Sequence, residues 1–300
     1  LKTEEKMPSV RVIKRRIRSV SNTGQITKAM ELVAASRMRR AQMNVLASRP
    51  FSKKVLEVIA DVASISDKDF RNISPLLQQR EVKTVGLVLV TTDKGLAGSL
   101  NTNALRRATR FLASETGGKP VKIITVGRKG RDFMIRVGRD IVAEFDNIKA
   151  NPDLLDILPI ARVVIDEFTK GTVDVVYLLY TDFINTLTVR PKLIKLLPIE
   201  PDMSAQEDGF EKIDFIFEPD PYGVLVSLLP RYVEVELYQA ILENIASEQS
   251  SKMVAMRNAT DKAKELKADL TLLMNKTRQA QITGEILEIA SAAVALEKQK

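Results

Sequence analysis

Three stretches of this sequence carry residue types that could do chemistry. Thr91 to Asn101 (TTDKGLAGSLN) joins an apolar run to a helical pattern, where a phosphate loop would lie. It has neither G-x-x-x-x-G-K-S/T nor G-x-G-x-x-G, so Gly95 and Gly98 fit a tight turn with positive φ as well as a nucleotide site. VGRKGRDF places Arg128, Lys129 and Arg131 at a helix start, which fits an anion site or a solvated loop. Asp61, Asp67, Asp69 and Glu207, Asp208 are carboxylate clusters without metal-ligand spacing and read as surface charge. What is missing narrows the chemistry further. The 300 residues contain no His, no Cys and no Trp. Thiolate nucleophiles, disulfides, thiolate zinc sites and imidazole acid–base catalysis are therefore excluded. Catalysis would have to rest on Asp, Glu, Lys, Tyr, Ser or Thr.

Composition is that of a folded chain, with 45% hydrophobic and 28% charged residues. No run approaches the ~18 apolar residues of a membrane helix, so no direct membrane insertion is expected. No signal peptide is expected either, and residues 1–6 read as an extension upstream of Met7. The formal charge of +8 is unevenly placed. Residues 1–60 carry 14 Lys/Arg and 4 Asp/Glu, a net +10, which leaves −2 for the remainder.

The elements that must hold these residues fall into three sections: 7–65, 80–218 and 219–298. From Val10 to about Ile65 good helix formers dominate. Apolar residues recur at three and four through Ile13, Ile17, Val20, then Ala34, Met38, Ala41, Val45. Between these blocks the stripe drifts to Ile26, Met30, Val33, which predicts a heptad seam with a phase slip. Such a helix reaches roughly 80 Å. Tyr222 to Leu296 repeats the pattern through Leu242, Ile245, Met253, Met256, Ala263, Leu266, Leu270 and Leu273, then becomes small at Thr277, Ala280 and Gly284. Two long helices at opposite chain ends predict an antiparallel coiled coil. Between them, Thr84–Thr92, Val121–Val126 and Val173–Thr181 read as buried strands alternating with helices at 101–114, after Gly127, and at 153–169. Extended edge elements are expected at 186–198 and 212–218. The whole predicts an α/β protein with long helices, in which a Rossmann-like open sheet lies between the coiled-coil helices.

Two exposed features suggest partners. Lys14, Arg15, Arg16, Arg18, Arg37, Arg39 and Arg40 make the first helix basic, which fits phosphates or acidic protein loops. A nucleic-acid surface would also use stacking aromatics, and this helix has none before Phe51. In TRQAQITGE, Arg278 and Glu285 lie two turns apart and Arg278 and Gln281 at i,i+3, a spacing that gives one face a hydrogen-bonding patch. Three function classes follow: a protein that docks on acidic partner loops, a basic nucleic-acid-binding coiled coil, and an enzyme with a nucleotide loop.

One resemblance covers nearly the whole chain after Met7. Ile13 to Gln42 (IKRRIRSVSNTGQITKAMELVAASRMRRAQ) resembles the N-terminal helix of the gamma subunits of F-type ATP synthases, and Ala246 to Ile289 resembles their C-terminal helix. TDKGLAGSLN, GRKG, YTDFINTLT, EPDP and LLPRYVEVELYQA match the same family in order. The resemblance implies a bacterial, non-catalytic rotor shaft without cofactor, peripheral on the cytoplasmic face of the cell membrane. Its coiled coil would enter the alpha/beta hexamer, and its foot would meet the c ring and the epsilon subunit; no nucleic acid is implied. Met30 lies where the family's shaft meets the acidic lever loops of beta, and Lys28 and Arg37 share that surface. Lys252 stands where arginine is common, which keeps the charge and loses bidentate binding. Arg278 and Gln279 match the pair that bonds a beta loop, with Thr283 and Glu285 nearby, and Phe215 matches a foot position near the c ring. The family's glycine-rich tail is here ASAAVA, and the cysteine insertion of plastid members is absent.

Overall fold

The computed structural model describes residues 9–65, 74–200 and 220–297. Helix α1 runs Val10–Ile65 and helix α5 runs Pro221–Glu297. Between them come a 3-10 turn (Pro75–Leu77), β1 (Val85–Val90), α2 (Leu100–Arg110), β2 (Val121–Val126), α3 (Arg128–Arg136), β3 (Ile141–Phe145), α4 (Leu154–Thr169), β4 (Val175–Phe183) and β5 (Val189–Leu197). The strands form one sheet in the order β3-β2-β1-β4-β5. β1 pairs in parallel with β2 and β4, β2 in parallel with β3, and β5 runs antiparallel to β4.

The continuous apolar run in β1 has a simple cause: helices cover both faces of the sheet. Val88 and Val90 join Ile124, Val126, Leu178 and Tyr180 in a core with Ile157, Ile160 and Val164 of α4, Val55 and Ile59 of α1, and Leu229 and Val233 of α5. Leu87 and Leu89 point the other way, into a core with Ile123, Leu179, Phe111 and Met134. Every β1 side chain is therefore buried. β3 escaped the sequence reading because it is a half-exposed edge strand whose burial alternates residue by residue, set among charges. Helix α2 continues as a π-helical turn, Phe111–Glu115, which accounts for the expected length of that helix. The expected element at 212–218 lies outside the described residues.

The fold divides into two compact units, residues up to 33 with those from 253 onward, and residues 34–252. In the larger unit Ala41 and Val45 of α1 cluster with Leu242 and Ala246 of α5 and Phe183 of β4, while Val55 and Ile59 cluster with Leu225, Leu229 and Val233, so residue numbers rise on one helix as they fall on the other. The helices are antiparallel there. Ser247 donates to Thr181 O at 3.0 Å and Ser250 to Thr186 O at 2.6 Å, fixing α5 to the end of β4 and the turn after it. In the smaller unit the pairing is again antiparallel: Gly24 faces Ala263, Thr27 faces Thr260 and Glu31 faces Arg257.

Those pairs correct the expected seam. Ile26 and Val33 are 61% and 51% exposed and Met30 is half-buried, whereas Thr27 and Glu31 are buried. The inward positions of α1 are 13, 17, 20, 24, 27 and 31, and then 34, 38, 41 and 45, in steps of four and three throughout. There is no phase slip. The heptad simply passes through Gly, Thr and Glu, which a search for apolar residues skips. On α5, Leu266 and Leu273 are exposed, and the inward positions are 256, 260, 263, 270, 274 and 277.

Candidate functional site

The loop after β1 and the start of α3 form one self-contained knot. Thr92 donates its hydroxyl to Lys94 O at 2.6 Å, and Asn101 both accepts from Thr92 N–H and donates to Thr92 Oγ1. Leu96 and Gly98 take positive φ to close the turn. The first amides of α3 are already committed. Arg128 N donates to Asp93 Oδ1, Lys129 N to Thr92 O and Gly130 N to Thr91 Oγ1. Arg128 and Arg131 pair with Asp146 at 3.1 and 3.4 Å. With its amides donated and two of its arginines paired with carboxylate, this helix start has little left for an anion. The same bonds explain TDKG and GRKG as packing motifs. A Cβ on Gly127 would lie 2.3 Å from Thr91 O, and one on Gly130 2.8 Å from Thr91 Oγ1. Asp61 lies in α1, its side chain not described, and Asp67, Asp69, Glu207 and Asp208 lie outside the described residues. Among the described residues no cluster of three His, Cys, Asp or Glu side chains could hold a metal ion.

The expected contact residues are spread along the long helices. In the smaller unit Lys28 lies in the layer of the polar seam. Its ammonium donates to Glu31 at 3.0 Å, and Arg257 reaches the other Glu31 oxygen at 3.4 Å. The Lys28 hydrogen bond holds the Glu31 carboxyl below the ordinary carboxylate range, against the opposing effect of its burial; the charges of Lys28 and Arg257 add to it. Met30 sits half-buried one residue away. Beside this layer runs a groove of about 540 Å³ whose lining includes apolar Val20 and Leu32, Thr260, and the cations Lys28, Lys264 and Lys267.

Farther along the same unit, Thr277 is the last buried position of α5. Arg278, Gln279, Thr283 and Glu285 are all exposed, as are Ile282, Ile286, Leu287 and Ile289. The Thr283 hydroxyl donates back to Gln279 O at 2.9 Å. A helix that keeps four large apolar residues in water over about two turns is a helix with a surface to offer. In the larger unit Arg37 is exposed, whereas Lys252 is mostly buried and donates to Glu248 at 2.7 Å. Phe215 lies outside the described residues. Glu31, Arg257, Thr27 and Thr260 were missed by the sequence reading. The signal was present: counting back from Val45 in alternating steps of four and three lands on Glu31, Thr27 and Gly24.

A family model described as ATP synthase matches residues 9–296. The ATP synthase gamma chain of Roseiflexus castenholzii is 53% identical over 97% of this chain and 99% of its own length. The chain belongs to the ATP synthase gamma-chain family. The gamma chain of Chloroflexus aurantiacus is 51% identical with the same coverage. The fold agrees. A chain in the cryo-EM structure of the central stalk and c ring of Tetrahymena thermophila mitochondrial ATP synthase matches with a TM-score of 0.60 at 28% identity, over 78% of this chain and 99% of that one. A chain from the Euglena gracilis mitochondrial enzyme matches with a TM-score of 0.65 at 19% identity, over 96% and 94%, and supports the fold alone. The bonds within the knot after β1 make it a scaffold of the α/β domain between the long helices. Among the described residues no helix is long and apolar enough to cross a membrane.

Proposed function

We propose that this chain is the central-stalk rotor subunit of a bacterial F-type ATP synthase, coupling rotation of a c ring to conformational cycling of an alpha/beta hexamer. The observation that carries the reading is the pair of helices of 56 and 77 residues bracketing a small α/β domain, in a chain that matches gamma chains along its whole length. A shaft needs stiffness, and two antiparallel helices with a heptad seam resist bending better than one. The functional sections are 7–65 and 219–298 as the shaft and 80–218 as the foot. Nucleotide chemistry takes place on the beta subunits, and this chain holds no cofactor. Lys28, Met30, Arg37 and Lys252 meet the acidic levers of beta; the charge of Lys252 is already paired with Glu248 and that of Lys28 with Glu31. Arg278, Gln279, Thr283 and Glu285 bond a beta loop near the tip. Phe215 belongs to the foot beside the c ring and the epsilon subunit. The complex sits on the cytoplasmic face of the cell membrane.

Reconstitution tests this. The chain mixed with alpha and beta subunits should co-assemble and support ATP hydrolysis, while the chain alone should hydrolyse none. Failure to co-assemble, together with tight and salt-sensitive DNA binding, would favour the basic coiled-coil reading. ATPase activity of the isolated chain would favour the enzyme reading.

A further inference from the structure

The smaller unit buries the wrong residues for a coiled coil built on hydrophobicity. Helix α1 carries an apolar stripe at Ile26, Met30 and Val33, roughly a third of a turn from the seam. That stripe is left largely in water, and Gly24, Thr27 and Glu31 face α5 instead. Burial of apolar surface alone would favour the opposite choice. Three successive layers oppose it. Gly24 lets the helices approach until a Cβ there would lie 3.3 Å from the Ala263 Cβ. Thr27 and Thr260 share a buried hydrogen bond of 2.8 Å. Glu31, with its side chain only 7% exposed, binds Arg257 across the seam and Lys28 on its own helix. Turning α1 to bury Ile26 would insert a bulky side chain at the close approach. It would break the threonine pair and carry Glu31 away from Arg257.

We infer that Gly24, Thr27, Glu31, Arg257, Thr260 and Ala263 form an azimuthal lock. They decide which face of α1 pairs with α5 in this unit and thereby keep Ile26, Met30 and Val33 available on the outside. Buried polar groups in paired helices are best known for this kind of selection, at some cost in stability. The lock explains why a more apolar seam available in the sequence is not used. It stands independently of the rotor assignment, since it concerns only how this chain's own helices pair.

The chain has no native cysteine, so engineered pairs report the pairing cleanly. Two full-length proteins are needed, one with Gly24→Cys and Ala263→Cys, the other with Ile26→Cys and Ala263→Cys. The first pair has close to the Cβ separation of a disulfide, and the second faces away. On mild oxidation the parent should cross-link through the first pair and hardly through the second. Adding Thr27→Ala and Glu31→Ala should raise the ratio of second-pair to first-pair product at least roughly tenfold, as the apolar stripe competes for the seam. An unchanged ratio in a helical variant would overturn the lock. If circular dichroism shows that the double variant has lost helix, Glu31→Gln alone, which keeps the volume and removes the charge, should still shift the ratio in the same direction. No shift there overturns it equally.

Discussion

Glu31 and Gly127 carry opposite lessons about single residues. Gly127 takes φ +97 and packs against the Thr91 carbonyl at the point where β2 hands over to α3. Gly127→Ala should therefore cost at least about 2 kcal/mol, from both the left-handed backbone and the collision. Urea unfolding would measure it, and a midpoint equal to the parent's would show that the loop relaxes freely. Glu31 sits inside the seam and survives there because two cations come to it. Near the tip of α5, Arg278 and Gln279 are exposed and lie outside the buried seam. Replacing Arg278 and Gln279 together by Ala should leave helicity and melting temperature within error of the parent. It should weaken assembly with alpha and beta or lower coupled ATP synthesis. Unchanged synthesis in the reconstituted enzyme would remove the pair from the contact surface. At the start of α3 the Arg128 and Arg131 side chains are spoken for by Asp146, and the first backbone amides by neighbouring oxygens. Residue type alone could not separate these cases, because the same arginine serves either purpose depending on whether a carboxylate stands beside it.

Among the elements, α4 shows how a charged helix start adds pH dependence. Asp156 accepts from Lys149 at 2.7 Å and from the Asp153 N–H at 3.0 Å. The Lys149 hydrogen bond, reinforced by the backbone one and opposed by burial, holds its carboxyl below the usual range. A depressed folded-state pKa contributes stability that is present above the ordinary carboxylate pKa and is lost as pH falls through the depressed value. Asp156→Asn should accordingly lower the neutral plateau of the stability–pH curve, leave stability at acid pH little changed and so flatten the acid limb. An acid limb identical to the parent's would show that the carboxylate is not linked to folding. The strands divide by the same logic of surroundings. β1, β2 and β4 were legible because helices on both faces make them uniformly apolar. β3 was not, since an edge strand with a half-wet face has no strong pattern. The hairpin joining β4 to β5 is shaped by Asn185, whose side chain accepts from Leu187 and Thr188 N–H, so YTDFINTLT encodes a turn.

For the molecule as a whole, the assigned role predicts coupling effects without loss of fold. Met30→Lys adds a positive charge beside Lys28 on the side of the shaft proposed to face the acidic levers. It should lower the number of protons pumped per ATP hydrolysed while hydrolysis itself continues. Equal pumping in vesicles carrying the variant enzyme would separate Met30 from the lever contact. Sequence by itself determined the order of the elements apart from β3, both long helices to within a residue or two, and an open α/β sheet. Local propensity and hydrophobic period suffice for these, because each is written within a few turns of chain. The absence of His and Cys likewise settled which chemistries this chain cannot perform. Only the tertiary structure decided which face of α1 pairs with α5 and which cations are free to meet a partner. Those outcomes depend on a residue more than two hundred positions away, on Ala263 leaving room, on Thr260 offering a hydroxyl and on Arg257 offering a charge. A periodic pattern that scores only hydrophobicity cannot contain that information.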